Sequence, residues 1–557
     1  MAPTYPDFTR CHKPLDVPPY AKDLNCCPPY QGETPVPFTV PKDLPMRTRV
    51  SAHRVDEKYV AKYARAVQLM KDLPPDDPRN FTQQANVHCA YCQGAYYMGN
   101  TDKPFMVHNG WFFLPWHRWY LYFHERMLAK LVGDDTFALP FWNHDYEPGM
   151  TIPPMYLDKS LSLFHDKRNP DHGPSSIADL SFYMPDGYSK SHFLSSSEED
   201  QVSYNYRLMY KHMVSLAKTT RTFHGAPRRS TGPDSSTCTC AAGTVEIVPH
   251  DTVHSWTGNL ITEQCPCPTK TCYGEDMGVF YAAARDPIFY ALHANVDRMW
   301  TIWKKLPGRE DYTDPDLLDT LFYFYDENKL LVSVRAGDAF DPAELRYSYE
   351  ASPTPWLQKP VYNDIRPALP PLAGGAVQKC NSQYNILFSQ PIKVPVPRQG
   401  GRSNFFGLMA REELLVIKGI RVQRNLAVKF DIFVNLDDRL LATSYVDSVP
   451  REYAGTFLDL PRGARDDAEG GCGQSSLCVG ISEVLRDLNV KQNEESIVVT
   501  LLPKVKVEEA IKISAIKLEY SERNLFGMRW MKSLLRSVLI SPSKWGLCPP
   551  LGVFPYH

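Results

Sequence analysis

This 557-residue chain contains no apolar run approaching the ~20 residues that a membrane-crossing helix needs, so no integral membrane segment is expected. It also lacks a charge excess: 61 Lys and Arg stand against 63 Asp and Glu, and the pI is near 6.8. That balance leaves no electrostatic footprint for nucleic acid or an anionic membrane surface, and neither partner is expected. The opening Met-Ala-Pro-Thr-Tyr-Pro has neither a basic n-region nor an apolar h-region. The expectation is a trimmed mature form behind an added Met1, with its targeting peptide absent. No internal repeat is visible. What the chain does have is rings, prolines and thiols: 12% aromatics, 48 prolines and 14 cysteines, implying large buried rings, many fixed turns and covalent ties. Its length exceeds one core, so two or three domains are expected.

The cysteines are unevenly placed. Cys11, Cys26, Cys27, Cys89 and Cys92 come early, and Cys238, Cys240, Cys265, Cys267 and Cys272 form a second cluster. Disulfides in an oxidising compartment are the first explanation, with free thiols or, for the odd-numbered second cluster, an accessory metal site as alternatives. Residues 1 to about 45, rich in Pro and Cys, should wrap the surface. Helical spacing follows in His53–Lys71 (Val55, Tyr59, Tyr63, Val67, Met70) and in Trp116–Leu131 (Tyr120, Phe123, Met127). A proline-crowded stretch over 350–397 reads as an extended linker. Beyond it the period changes to two, with Val428, Phe430, Ile432 and Val434 alternating with Lys429 and Asp431, and further apolar runs at Leu414–Ile417, Ile497–Leu502 and Ile511–Leu518. The expected organisation is a mainly α domain over 1–349 with long loops, the linker 350–397, a small β-sandwich over 398–520, and a basic tail, 521–557, of unassigned role.

Histidines carry the chemistry. HCAYC holds His88 and Cys92; HNGWFFLPWH holds His108 and His117; EIVPHDTVH holds His250 and His254, four apart on one helical face; DPIFYALHANVDRMW holds His293, followed by Asn295, Asp297 and Arg298. Each piece alone is compatible with ordinary core residues. Together they make two sets of three imidazoles without a carboxylate ligand, a donor set for copper or zinc and not for magnesium. The HExxH pattern of zinc hydrolases is not met, because Asp251 stands where its Glu would be and is one methylene shorter.

With these motifs in hand, the chain resembles the plant polyphenol oxidases of the type 3 copper class, which includes catechol oxidases, tyrosinases and aurone synthases. The likeness covers NCCPPY, HCAYC, HRWYLYF, FALPFWN, DPIFYALHANVDRMW, the tyrosines Tyr347 and Tyr349, and Lys429-Phe430-Asp431-Ile432. It implies a four-helix bundle around a dicopper site, followed by a C-terminal β-sandwich that covers the site and keeps the chain latent. By the same resemblance, His88, His108 and His117 bind one copper and His250, His254 and His293 the other. Cys92 forms a thioether to His108, and Cys11–Cys27 and Cys26–Cys89 are disulfides. Glu246 holds a water beside the second copper, and Phe280 is an aromatic gate above that ion. Asp251 is expected to help Glu246 polarise the water that deprotonates a monophenol.

The implied activity is O2-dependent oxidation of o-diphenols to o-quinones, with ortho-hydroxylation of monophenols. The implied location is the plastid, in the thylakoid lumen, or the vacuole. A specialised biosynthetic hydroxylase or cyclase of the aurone synthase kind is the alternative, and an oxygen carrier a more distant one. Two departures stand out: Leu292-His293 replaces the usual His-His, and Pro355-Trp356-Leu357 the usual Asp-Trp-Leu.

Overall fold

The computed structural model describes residues 3–14, 17, 21, 23–182, 197–229, 241–259, 276–362, 378–379, 386–398, 411–422, 428–441, 448–460, 475–504 and 511–521. The cysteines Cys238 to Cys272 and the basic tail beyond 521 lie outside them.

The helical part is built on α1 (Glu57–Lys71), α2 (Phe81–Cys92), α3 (Phe113–Val132), α4 (Glu198–Tyr210), α5 (Thr220–His224), α6 (Thr252–Thr257) and α7 (Ile288–Lys304). α1 starts at Glu57 and not at His53, because the Asp56 carboxylate accepts the Tyr59 N–H and caps the helix there. Its apolar stripe packs on α3. α3 is buried on all sides from Phe113 to Ala129, as befits a central helix, and ends where Gly133 turns left-handed at φ +67°.

Small pairings brace the helices. β1 (Pro6–Asp7) joins β4 (Tyr96–Met98) and β5 (Pro104–Phe105); β2 (Val36–Pro37) joins the hairpin of β6 (Leu321–Tyr325) and β7 (Leu331–Arg335); β3 (Arg47–Arg49) runs parallel to β8 (Tyr347–Tyr349). A buried ionic network ties β3 and β8 to the bundle. Arg47 and Arg49 flank Glu125 of α3, while Asp297 of α7 receives Arg118, Arg49 and the hydroxyls of Tyr347 and Tyr349.

The strand-rich part holds a five-stranded sheet, β14 (Tyr453–Asp459), β13 (Val428–Val434), β16 (Ser496–Pro503), β11 (Ile392–Pro397) and β9 (Gln378–Lys379) in that order. A three-stranded sheet orders β15 (Ser475–Gly480), β12 (Glu413–Ile420) and β18 (Ala515–Tyr520), and β10 (Ile386–Phe388) pairs with β17 (Ile511–Ile513). This corrects the linker reading, since β9, β10 and β11 already lie within 350–397. Pro395 and Pro397 are tolerated because the adjacent Arg398 donates its N–H toward the β16 side, so the proline nitrogens point the other way. There β9 pairs only with Ile392 and Lys393, and no ladder donor is lost.

β13 also departs from expectation. Its polar positions are as buried as its apolar ones. Phe430 stacks inside the strand-rich part against Phe457 and meets Phe388 edge-on, whereas the Lys429 ammonium donates to the Ser181 carbonyl of the helical part at 2.5 Å. The second face of the sheet is turned toward the helical part.

Candidate metal centre and active site

The first cluster gathers His88 and Cys92 from successive turns of α2, His117 from α3, and His108 from the loop leading into α3. Their ligand atoms lie within 4.8 Å of one another. That loop is shaped by Asn109, left-handed at φ +58°, whose N–H donates to Glu246 Oε1 at 2.6 Å. The second cluster takes His293 from α7, His254 from α6, and His250 from a wide-turn segment, Glu246–Asp251, leading into α6. Gly243 seats this segment against α5, where a Cβ would come within 1.9 Å of the Phe223 carbonyl oxygen. His293 Nε2 lies 3.3 Å from His250 Nε2 and 3.2 Å from His254 Nε2.

The two triads face each other. The His117 and His293 rings stack at 4.3 Å, and His108 and His250 are 5.8 Å apart. Backbone carbonyls fix several tautomers: His117 Nδ1 donates to Phe113 (2.7 Å) and His254 Nδ1 to Met277 (2.9 Å), which turns Nε2 of each toward its cluster. Both ring nitrogens of His108 and Nε2 of His117 are buried without a hydrogen-bond partner, and His88 is equally buried with the Phe280 backbone against its ring. Burying such groups is costly unless they bind something, and a metal ion is the group that clusters of this composition could hold. Burial, reinforced by the neighbouring imidazoles, pushes the pKa of His88, His108, His117, His254 and His293 far down. Burial alone is the chief cause of His250 falling to about 3. All six are neutral, the form that ligation requires.

Cys92 belongs to no disulfide and shares the first cluster with His108, whereas Cys11–Cys27 and Cys26–Cys89 are bonded pairs that pin the N-terminal arm. Phe280 lies elsewhere than expected. Its ring sits 4.7 Å from His108 of the first triad, because the 276–282 loop offers the Met277 carbonyl to His254 and then crosses toward His108. Asp251 also differs, its Oδ1 lying 2.9 Å from His250 Nδ1.

Reading the residues missed Phe113 and Phe289. Phe113 lies 4.7 Å from both His117 and His250; Phe289 lies 4.7 Å from His88 and 4.1 Å from His293. The available signal was spacing, since each stands four residues before a helical ligand. The site is closed: the six histidines, Glu246 and Phe280 are all buried, and β14 packs against the segment carrying Glu246 and His250.

Residues 78–306 match the common central domain of tyrosinase, 311–361 the polyphenol oxidase middle domain, and 389–520 the chloroplastic polyphenol oxidase C-terminal domain. The chain is 40% identical over 528 residues to aureusidin synthase of Antirrhinum majus, covering 92% of this chain and 88% of that relative. It is 41% identical over 508 residues to polyphenol oxidase II, chloroplastic, of Ipomoea batatas, covering 90% of this chain and 82% of that one. The chain belongs to the plant polyphenol oxidase family.

As a polyphenol oxidase it is an oxidoreductase, and its fold matches the structure of latent apple tyrosinase with a TM-score of 0.76 at 38% identity, covering 88% of this chain and all of that one. No helix among the described residues is long and apolar enough to cross a membrane. Both departures from the family pattern are accommodated. Leu292 is fully buried beside the ligand His293, and Pro355 opens a 3-10 turn, Pro355–Leu357, at a position where its missing N–H costs nothing. Trp356 stays buried and donates Nε1–H to Asp145 at 2.8 Å.

Proposed function

We propose that this polyphenol oxidase holds one copper ion in each histidine triad and uses O2 to oxidise o-diphenols to o-quinones and to hydroxylate monophenols at the ortho position. The carrying observation is the pair of facing, buried, all-imidazole triads, the first of which has ring nitrogens of His108 and His117 without a hydrogen-bond partner. Bound copper would supply one-electron exchange with O2 from each ion, and imidazole serves it in both oxidation states.

The protein's own residues do the rest. Phe113 and Phe289 pack the imidazoles in place, and the Phe113 and Met277 carbonyls hold the tautomers of His117 and His254. Glu246, anchored by the Asn109 N–H, is the carboxylate placed to take up a phenol proton through a water, a transfer that an unperturbed phenol pKa near ~10 otherwise disfavours at neutral pH. A thioether from Cys92 to the His108 ring would fix that ligand's rotamer. The C-terminal strand-rich part acts as the cover of the latent form. A plastid location accords with the chloroplastic designation of the Ipomoea relative.

A narrower reading, hydroxylation or cyclisation of one plant phenolic, is favoured by the likeness to aureusidin synthase. Metal analysis should give two coppers per chain; zinc alone overturns the assignment. Oxygen uptake with a catechol, a monophenol and a chalcone, measured side by side after mild proteolysis, separates the general oxidase from the specialised enzyme.

A further inference from the structure

We propose that Asp251 is a positioning residue for the second metal site: its carboxylate accepts the Nδ1–H of His250, fixes that ring with Nε2 toward the metal, and makes the second site the tighter of the two. This rests on the reading of the triads as copper ligands.

The observation is an asymmetry among the ligands. His117 and His254 give their Nδ1–H to backbone carbonyls, of Phe113 and Met277. His250 Nδ1 instead has a carboxylate oxygen, Asp251 Oδ1, at 2.9 Å, with the Glu246 carbonyl further away at 3.1 Å. Local backbone makes contact between sequence neighbours possible. Val248 is extended (φ −134°, ψ 120°) within the Glu246–Asp251 turn, so His250 and Asp251 sit at a junction, with Asp251 at the cap position immediately before α6. Ser255 Oγ donates to the Asp251 carbonyl and Thr252 Oγ1 to that of Pro249, which ties the junction to the first turn of α6. Asp251 is itself buried, 4% exposed, so its charge is not dispersed into water.

Chemically, a carboxylate accepting from the far nitrogen of a metal-bound imidazole does more than a carbonyl does. It excludes the other tautomer and shifts electron density toward Nε2, strengthening the donor. Loss of such a partner typically costs 10–100-fold in metal affinity or activity. A residue whose task was to polarise water for monophenols would have a different signature, since it would alter the ratio of monophenol to catechol turnover and leave copper retention alone.

The test uses the copper-loaded full chain. Wild-type protein must first show two coppers by metal analysis; a different count removes the copper reading itself, not this inference. Copper release to an excess of a strong chelator is then followed for wild type, Asp251→Asn and Asp251→Leu, with apoprotein thermal unfolding as the control for folding. Asp251→Leu is expected to lose one of its two coppers about 10-fold or more faster, with the other released at the wild-type rate. Asp251→Asn, which keeps an oxygen acceptor without the charge, should be intermediate. Per remaining copper pair, kcat for catechol and for monophenol should fall in parallel. Wild-type release of both coppers from Asp251→Leu overturns the proposal, as does a loss confined to monophenol turnover. If the Leu variant does not fold, wild-type release from Asp251→Asn overturns it equally.

Discussion

At the scale of single residues, the six histidines were legible because chemistry demands their type and helix geometry their spacing; their supports were not. Asn109 and Met277 act through a backbone N–H and a backbone carbonyl, which any residue supplies, so no side-chain pattern announces them. Phe280 reads by itself as a core residue and was brought to the site only by the family resemblance, and the triad it faces depends on the course of its loop. His254→Ala removes one ligand from the second triad and is expected to lower copper from two ions per chain to about one and to abolish catechol oxidation, checked by metal analysis and oxygen uptake. A Cys92–His108 thioether would leave the intact mass about two hydrogens below the value calculated for the fully reduced chain, because a C–S bond resists reductants that open disulfides. An unshifted mass in copper-matured protein counts against that bond.

Among the elements, α1, α3 and the central strands were visible as periodicity, whereas β11 was hidden by its prolines. Proline marks a linker only when the strand would need the missing donor, and here the lost donors face the open side. The ionic cluster at Asp297 was equally invisible, since Arg49, Arg118, Asp297 and Tyr347 are far apart in sequence and meet only when β3, β8, α3 and α7 assemble. Burial would raise the Asp297 pKa, but Arg118, Arg49 and the two tyrosine hydroxyls outweigh it and hold the carboxyl below its ordinary value. Its stabilising contribution is therefore fully present above the ordinary carboxylate range and is lost only as pH falls through the depressed folded-state value. Asp297→Ala leaves two buried guanidinium groups short of a partner and should cost about 3–5 kcal/mol, read from denaturant unfolding at neutral pH. It should also remove this part of the acid sensitivity.

For the whole molecule, the consequential structure is the contact between the halves. Lys211, just past α4, is 1% exposed and reaches the carbonyls of Arg451 and Tyr453, while His212 Nε2 meets the Tyr453 hydroxyl at 3.0 Å. Burial, the largest cause, pushes Lys211 down to about 8, partly countered by Asp487 and Glu483. With the halves separated, the amine would recover its ordinary value near ~10.4. Between about 8 and that value the separated state binds the extra proton, so docking strengthens as pH rises through this window and gains nothing from Lys211 below it. The detergent needed to activate wild type should therefore rise over that window, and Lys211→Met should abolish the trend. A cut engineered between Tyr362 and Gln378, before the first sheet strand, should raise catechol oxidation severalfold at constant copper content. If the cut chain is no more active than the intact one, the covering role is wrong.

β13 decides what such a separation leaves behind. Because it turns Phe430 inward and Lys429 and Asp431 toward the helical part, and because that part answers with Lys211, His212 and the Ser181 carbonyl, the parting surfaces carry hydrogen-bonding groups at several points of their seam. Water can take over those groups one for one. Apolar groups meet across the same seam, Leu216 of the helical part lying against the Gly455 position of β14, so a chain that is opened bares greasy patches together with the polar ones and gives a detergent something to hold.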